Sequence, residues 1–351
     1  MNIVTEILYR FGIPSLKNKT CYLRDKDELI KIAKERCLLP SGDYKFVISN
    51  GAKRCLCKLG KEEELERVLQ VDGCHHFDKR VFFSLISHCK IRQSFNCDGN
   101  TGDVLMKTND GYKVFDFTKG TVTTYLDKSR SNDMCDAYQY FAKYFRTPLI
   151  SIKDNVIVEK IIYSSKTVES DNIHKYCQML KDLIKFYEKI DLSERGSIED
   201  TRQYIEKYGN AEEVELFNRI DAVCQFRDKL PVVVAPIDLW ESNIILDEKG
   251  EQYYIDFDWL RPIQAFQTII YFCCKEGNTK ILFSQNAEIL QCLDTIFKVL
   301  GLIFDRNKMK DYFYRELLLF LEKGIYCSQV RERDHSCVSA VSRAFDLVKK
   351  M

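Results

Sequence analysis

Asp238, Asn243 and Asp256 are the residues whose types and spacing could do chemistry. They lie in VVVAPIDLWESNIILDEKGEQYYIDFDW, from Val232 to Trp259. Asp238 is followed by four residues and Asn243, then an apolar run, a Glu-Lys-Gly turn, a second apolar run and Asp256. The pattern is D-x-x-x-x-N followed by I-D-F-D. One carboxylate can engage a hydroxyl, while an amide and a second carboxylate can hold Mg²⁺ against a triphosphate. Those are the parts that phosphoryl transfer needs.

Short, rigid elements must position these groups. Val232, Val233 and Val234 form a β-branched run. Residues 243–246 and 253–255 read as paired strands, and 247–250 as the turn between them, closed by Gly250. The loop 236–242 carries Asp238. Asp256 and Asp258 leave the second strand two residues apart, which puts them on one face of an extended chain. The hairpin returns Asn243 towards Asp256, and oxygen donors meeting there suit a hard cation such as Mg²⁺. The plainer alternative is a hairpin whose acidic ends are merely solvated.

This segment resembles the aminoglycoside phosphotransferase and choline kinase-like family of small-molecule kinases, a relative of the protein-kinase fold. The family pattern is close to H-G-D-x-x-x-x-N, a strand pair, then I-D-F or I-D-W. The resemblance implies that Asp238 is the catalytic Asp, that Asn243 and Asp256 are metal ligands, and that Asp258 is a further acidic ligand. Pro236 stands where the family has His, and Ile237 where it has Gly. The likeness extends over residues 100–351 and is strongest at 232–259. It implies an α+β, protein-kinase-like bilobal fold, with a small β-rich lobe and a mainly helical C-terminal lobe.

The upstream chain has elements in the matching order. Strands are expected at 104–107, 113–117 and 121–126, with Asn109-Asp110-Gly111 as a hairpin turn. A helix over 132–145 follows from Met134, Ala137, Tyr138, Phe141 and Phe145 at spacings of three and four. Pro148 ends it, and strands at 149–152 and 156–162 follow. By resemblance, adenine would lie against the backbone of Glu159, Lys160 and Ile161, with ATP between the lobes. The family's phosphate-binding Lys is missing from 121–126, where Thr124 stands. Lys107, Lys113, Lys119 or Lys128 could substitute, and Asp133 or Asp136 could serve for the usual acidic partner on the helix. No G-x-x-x-x-G-K-[ST] loop offers another phosphate cradle.

The remaining chain divides into segments. Residues 163–351 are expected to be helical, with helices at 173–190, 199–208, 211–227, 263–275, 287–302, 308–326 and 338–350. On the first of these, Tyr176, Cys177, Leu180 and Tyr187 share an apolar face, and Lys175 and Lys181 lie largely elsewhere. Residues 99–162 would form the small lobe. Residues 1–98 hold helix signals at 4–10, 27–36, 61–69 and 79–87, and a strand pair at 45–49 and 54–59. They read either as a separate N-terminal α/β module or as additions to the small lobe. The separate module is favoured, with 96–102 as its turn-like linker.

Composition limits the function classes. Of 351 residues, 45% are hydrophobic and 30% charged, which describes a folded chain with more than one core. The net charge of +1, without basic-aromatic alternation, gives no support for a nucleic-acid partner. No apolar stretch approaches a membrane span, and the start lacks a signal-peptide pattern. Fifteen Cys, without CxxC pairing, point to reduced thiols in a cytoplasm. Cys74-His75-His76 with His88-Cys89 matches no zinc spacing. After Asp256 no Ala-Pro-Glu segment is evident, which disfavours a protein kinase. Two readings result. The first is an ATP- and Mg²⁺-dependent small-molecule kinase acting on a hydroxyl of a small molecule or glycan. The second is a catalytically degenerate module that binds nucleotide or protein, favoured by the absent strand Lys.

Overall fold

The computed structural model describes residues 14–48, 54–69, 93–95, 102–108, 111–127, 131–163, 169–257, 260–274, 277–331 and 337–351. The chain divides into two compact units. The first comprises Met1–Cys135 and Pro148–Lys166, the second Asp136–Thr147 and Thr167–Met351.

The first unit is built on one antiparallel sheet. Its strands are β1 (Gly42–Ile48), β2 (Arg54–Lys58), β3 (Gln93–Phe95), β4 (Val104–Lys107), β5 (Gly111–Asp116), β6 (Thr121–Leu126), β7 (Leu149–Lys153) and β8 (Val156–Lys160). All eight lie in the order β3-β1-β2-β4-β5-β6-β8-β7. Alternating side chains divide between two faces. Leu56, Leu105, Tyr112 and Val114 join Leu29, Leu38 and Leu39 in one core, with helix α1 (Pro14–Glu35) packed on β2 and β4. Cys55, Cys57, Val104, Met106 and Phe115 build the other, near helix α2 (Glu62–Leu69).

This sheet corrects the expectation of a separate N-terminal module. β2 pairs directly with β4, with Cys55 opposite Met106 and Cys57 opposite Val104. The described strands before residue 98 therefore extend the small β-rich unit, because β4 has a backbone edge that β2 satisfies. The helices expected at 4–10 and 79–87, and most of the linker at 96–102, lie outside the described residues. From β4 to β8 the order is strand, strand, strand, helix, strand, strand, as expected.

Helix α3 (Ser131–Phe141) crosses from the first unit into the second. Its predicted stripe is buried at Met134, Ala137, Tyr138 and Phe141. The second unit is mainly helical. In chain order it contains α4 (Glu169–Tyr187), β9 (Arg195–Gly196), α5 (Ile198–Tyr208), α6 (Ala211–Asp221), β10 (Leu230–Val234), β11 (Ile244–Leu246), β12 (Gln252–Tyr254) and β13 (Pro262–Gln264). Then come α7 (Phe266–Ile269), α8 (Thr279–Phe283), α9 (Ala287–Val299), α10 (Met309–Arg331) and α11 (Val338–Lys350). α9 packs on α4, and α10 is the central rod, touching α5, α6, α7 and α11. Ser197 caps α5 in a reciprocal box with Asp200.

The helix expected over 263–275 is not one element. Pro262–Gln264 is a strand paired with Val232–Val234, followed by the single turn α7 and a 3₁₀ turn at Tyr271–Cys274. The whole stretch from Ile263 to Cys274 is buried, so its apolar run carries no periodicity that separates helix from strand. No described helix is long and apolar enough to cross a membrane.

Candidate active site

The hairpin β11–β12 and the loop before it form as the sequence predicts. Ile244 pairs with Tyr254 and Leu246 with Gln252. Gly250 takes φ +77, and Asp247 accepts the N–H groups of Lys249 and Glu251 at 2.8 Å each, which closes the turn. The Ile255 N–H donates to the Asn243 carbonyl at 3.0 Å, tying the two ends of the hairpin together.

Three predicted residues are brought to one place in the second unit. Asp238 and Asp256 line the same small pocket, with Phe141, Pro236, Ile255 and Phe257 as its apolar walls. Asn243 ends a 3₁₀ turn, Glu241–Asn243, and its Nδ2 donates to the Asp238 carbonyl at 2.9 Å. That bond commits the amide's NH₂ end to the loop and leaves Oδ1 as its acceptor end. Asp258 and Trp259 lie outside the described residues.

Asp256 has φ +58, a left-handed backbone conformation uncommon for a residue with a side chain. Holding it costs about 1–3 kcal/mol. The Tyr138 hydroxyl accepts the Asp256 N–H at 2.7 Å, and the Tyr138 ring meets Phe257 edge-on at 5.4 Å. α3 thus supplies an anchor on each side of the turn at Asp256. A carboxylate and an amide oxygen are hard donors that fit Mg²⁺. Among the described residues no group of three His, Cys, Asp or Glu is gathered for a metal, and both Cys-His segments lie outside them.

The site also contains residues that the sequence did not announce. Lys323, on α10, donates to Asp238 Oδ1 at 2.8 Å and to the Ile237 carbonyl at 3.0 Å. Its ammonium lies 3.9 Å from the centre of the Tyr271 ring. Burial, with the Asp238 charge next, holds the Tyr271 phenol well above its usual range. Trp240 packs on Tyr271 at 4.2 Å and on Phe320 at 5.9 Å, so it is a structural aromatic of the loop. Lys175 was expected on the charged face of its helix. It is instead 1% exposed and donates to the Glu241 carbonyl at 3.1 Å. Asn278 Nδ2 meets Glu241 Oε2 at 3.0 Å, so the turn bearing Asn243 is braced from two sides.

In the first unit, Glu159 is buried and pairs with Val122 and Leu149. The Lys160 N–H donates to the Pro148 carbonyl and the Ile161 N–H to the Gly120 carbonyl, each at 2.8 Å. Neither N–H is therefore open to adenine, since both are used inside the sheet. Thr124 is buried opposite Lys113, and its hydroxyl has no partner among the described residues. Lys107 is bound to Asp25 and Glu28, and Lys119 lies 3.8 Å from Asp116. Lys128 lies outside the described residues, and Asp133 and Asp136 are exposed.

No protein-family model matches the chain, and no curated protein matches it. Solved structures do. The choline kinase LicA from Streptococcus pneumoniae is similar at 12% identity and a TM-score of 0.42, over 79% of this chain and 100% of that one. An ethanolamine kinase of Plasmodium vivax is similar at 15% identity and 0.41, over 83% and 93%. A macrolide 2'-phosphotransferase of type I is similar at 9% identity and 0.43, over 79% and 99%. These are the kinds of protein whose motif the segment 232–259 resembles.

Proposed function

We propose that this chain is an ATP-dependent phosphotransferase acting on a hydroxyl of a small molecule or glycan. The observation that supports it most is the meeting of Asp238 and Asp256 on one pocket, with Asn243 pinned to the Asp238 carbonyl. Asp238 orients the acceptor hydroxyl and receives its proton late in the step, because a loose transition state asks little of a base. Asn243 and Asp256, with Asp258, would hold Mg²⁺, which supplies charge neutralisation on the phosphates. Tyr138 and the braced turn at Glu241 hold those ligands still, so little reorganisation is needed. For adenine, the segment Glu159, Lys160 and Ile161 would act through its carbonyl groups, because two of its N–H groups are spent. The unbridged, buried thiols of Cys177, Cys224 and Cys273 fit a reducing compartment such as the cytoplasm.

The test is thermal shift and ATP consumption with ATP alone and with Mg²⁺. The wild type should gain melting temperature in a Mg²⁺-dependent way and consume ATP, and Asp256→Ala should lose both while remaining folded. Equal turnover in wild type and variant would exclude the assignment. A second reading, a non-catalytic nucleotide- or protein-binding module, is favoured by the commitment of Lys107 and Lys119 to acidic neighbours. It predicts the shift without the consumption.

A further inference from the structure

The loop that carries Asp238 has little backbone support of its own on its upstream side. Pro236 has no N–H to give. Downstream, the Asp238 carbonyl is well held, accepting from Trp240 N at 3.0 Å and from Asn243 Nδ2 at 2.9 Å. Upstream, one group takes both the Ile237 carbonyl and the Asp238 carboxylate, and that group is the Lys323 ammonium. Lys323 is only 7% exposed, and the Tyr271 ring covers it. Tyr271 is itself packed against Trp240, which belongs to the same loop. The lysine therefore meets the loop at a carbonyl, a carboxylate and an aromatic wall.

A buried ammonium is costly unless its hydrogens are all matched. Here two find oxygen and the ring faces the remainder, so the cation has one orientation and transmits it to its acceptors. The charge-assisted bond to Oδ1, with the Tyr271 phenol as a second neighbour of the same carboxylate, fixes the carboxylate's rotamer. We propose that Lys323 is the positioning residue of the catalytic loop, anchoring it to α10 and setting the aim of Asp238. This rests on the phosphotransferase reading. It assigns Lys323 no contact with nucleotide or acceptor.

Lys323→Met and Lys323→Arg test it, read by ATP consumption, Mg²⁺-nucleotide thermal shift and hydrogen exchange of peptides spanning 236–243. In Lys323→Met the nucleotide shift should persist and kcat should fall about 100-fold, the scale of a misplaced group. KM for ATP should change little, and exchange should rise in 236–243 alone. Lys323→Arg should recover part of kcat. Should Lys323→Met not fold, Lys323→Gln keeps one donor and gives the same readouts. Unchanged exchange over 236–243, or a rise spread through the whole helical unit, would overturn the proposal. If the wild type neither binds Mg²⁺-nucleotide nor consumes ATP, the phosphotransferase reading fails. The exchange arm then still decides whether Lys323 anchors the loop.

Discussion

Asp256 combines the carboxylate proposed to hold Mg²⁺ with a backbone conformation that glycine adopts more easily. Its cost is accepted for the carboxylate, and that separates stability from function at one position. Asp256→Gly should keep the melting temperature, or raise stability by up to about 1 kcal/mol, by removing the Cβ penalty. The same variant should lose Mg²⁺-dependent nucleotide binding. Chemical denaturation beside thermal shift checks both, and a clear loss of stability would show that the turn has no strain to relieve. The motif residues were legible because their types interrupt apolar runs at strand ends. Lys323 was not, since it lies 85 residues from Asp238 and reads as one more solvated lysine of a helix. Tyr138 was legible only as a member of a packing stripe, because nothing in spacing reveals where a hydroxyl points.

At the scale of elements, α10 holds an unusual interior. Arg315 and Glu316 are fully buried, and neither Glu316 oxygen has a partner among the described residues. Burial, only partly opposed by Lys323 and Arg315, holds the Glu316 carboxyl well above its ordinary value of 4.5. Unfolding lets it ionise near that value, so stability falls as pH rises from about 4.5 towards the folded pKa. Glu316→Gln should remove that slope, about 1.4 kcal/mol per pH unit across the window. The variant should match wild type below pH 4.5 and exceed it at neutral pH, in denaturant titrations at several pH values. Equal slopes would show that Glu316 ionises in place.

Strands β4 to β8 and helices α4, α5, α6, α9, α10 and α11 were largely legible, because amphipathic spacing and Gly or Pro punctuation coincide there. The stretch 263–274 was not, being buried throughout. The sheet's continuation through β1 to β3 was also hidden, because pairing between distant strands leaves no local signature. Deleting residues 1–98 would expose β4 and strip Leu105, Tyr112 and Val114 of Leu29, Leu56 and Phe95. The truncated chain should be insoluble or lack a cooperative transition, and a soluble, cooperatively melting fragment would restore the separate-module view.

At the scale of the molecule, the net charge is +1. The path of the backbone matters more. It passes between the two units three times, after Cys135, Thr147 and Lys166. The short stretch Asp136–Thr147 thus belongs to the helical unit although residues of the sheet-built unit flank it on both sides in sequence. Its Phe141 and Phe145 pack on Phe186 and Phe257, and Tyr138 holds Asp256. A gene cut after residue 166 would therefore not yield two independent proteins. The first half would carry away a piece of the second half's interior, and the second would lack the tyrosine that holds Asp256. Any division that keeps both units whole must leave this stretch with the helical one.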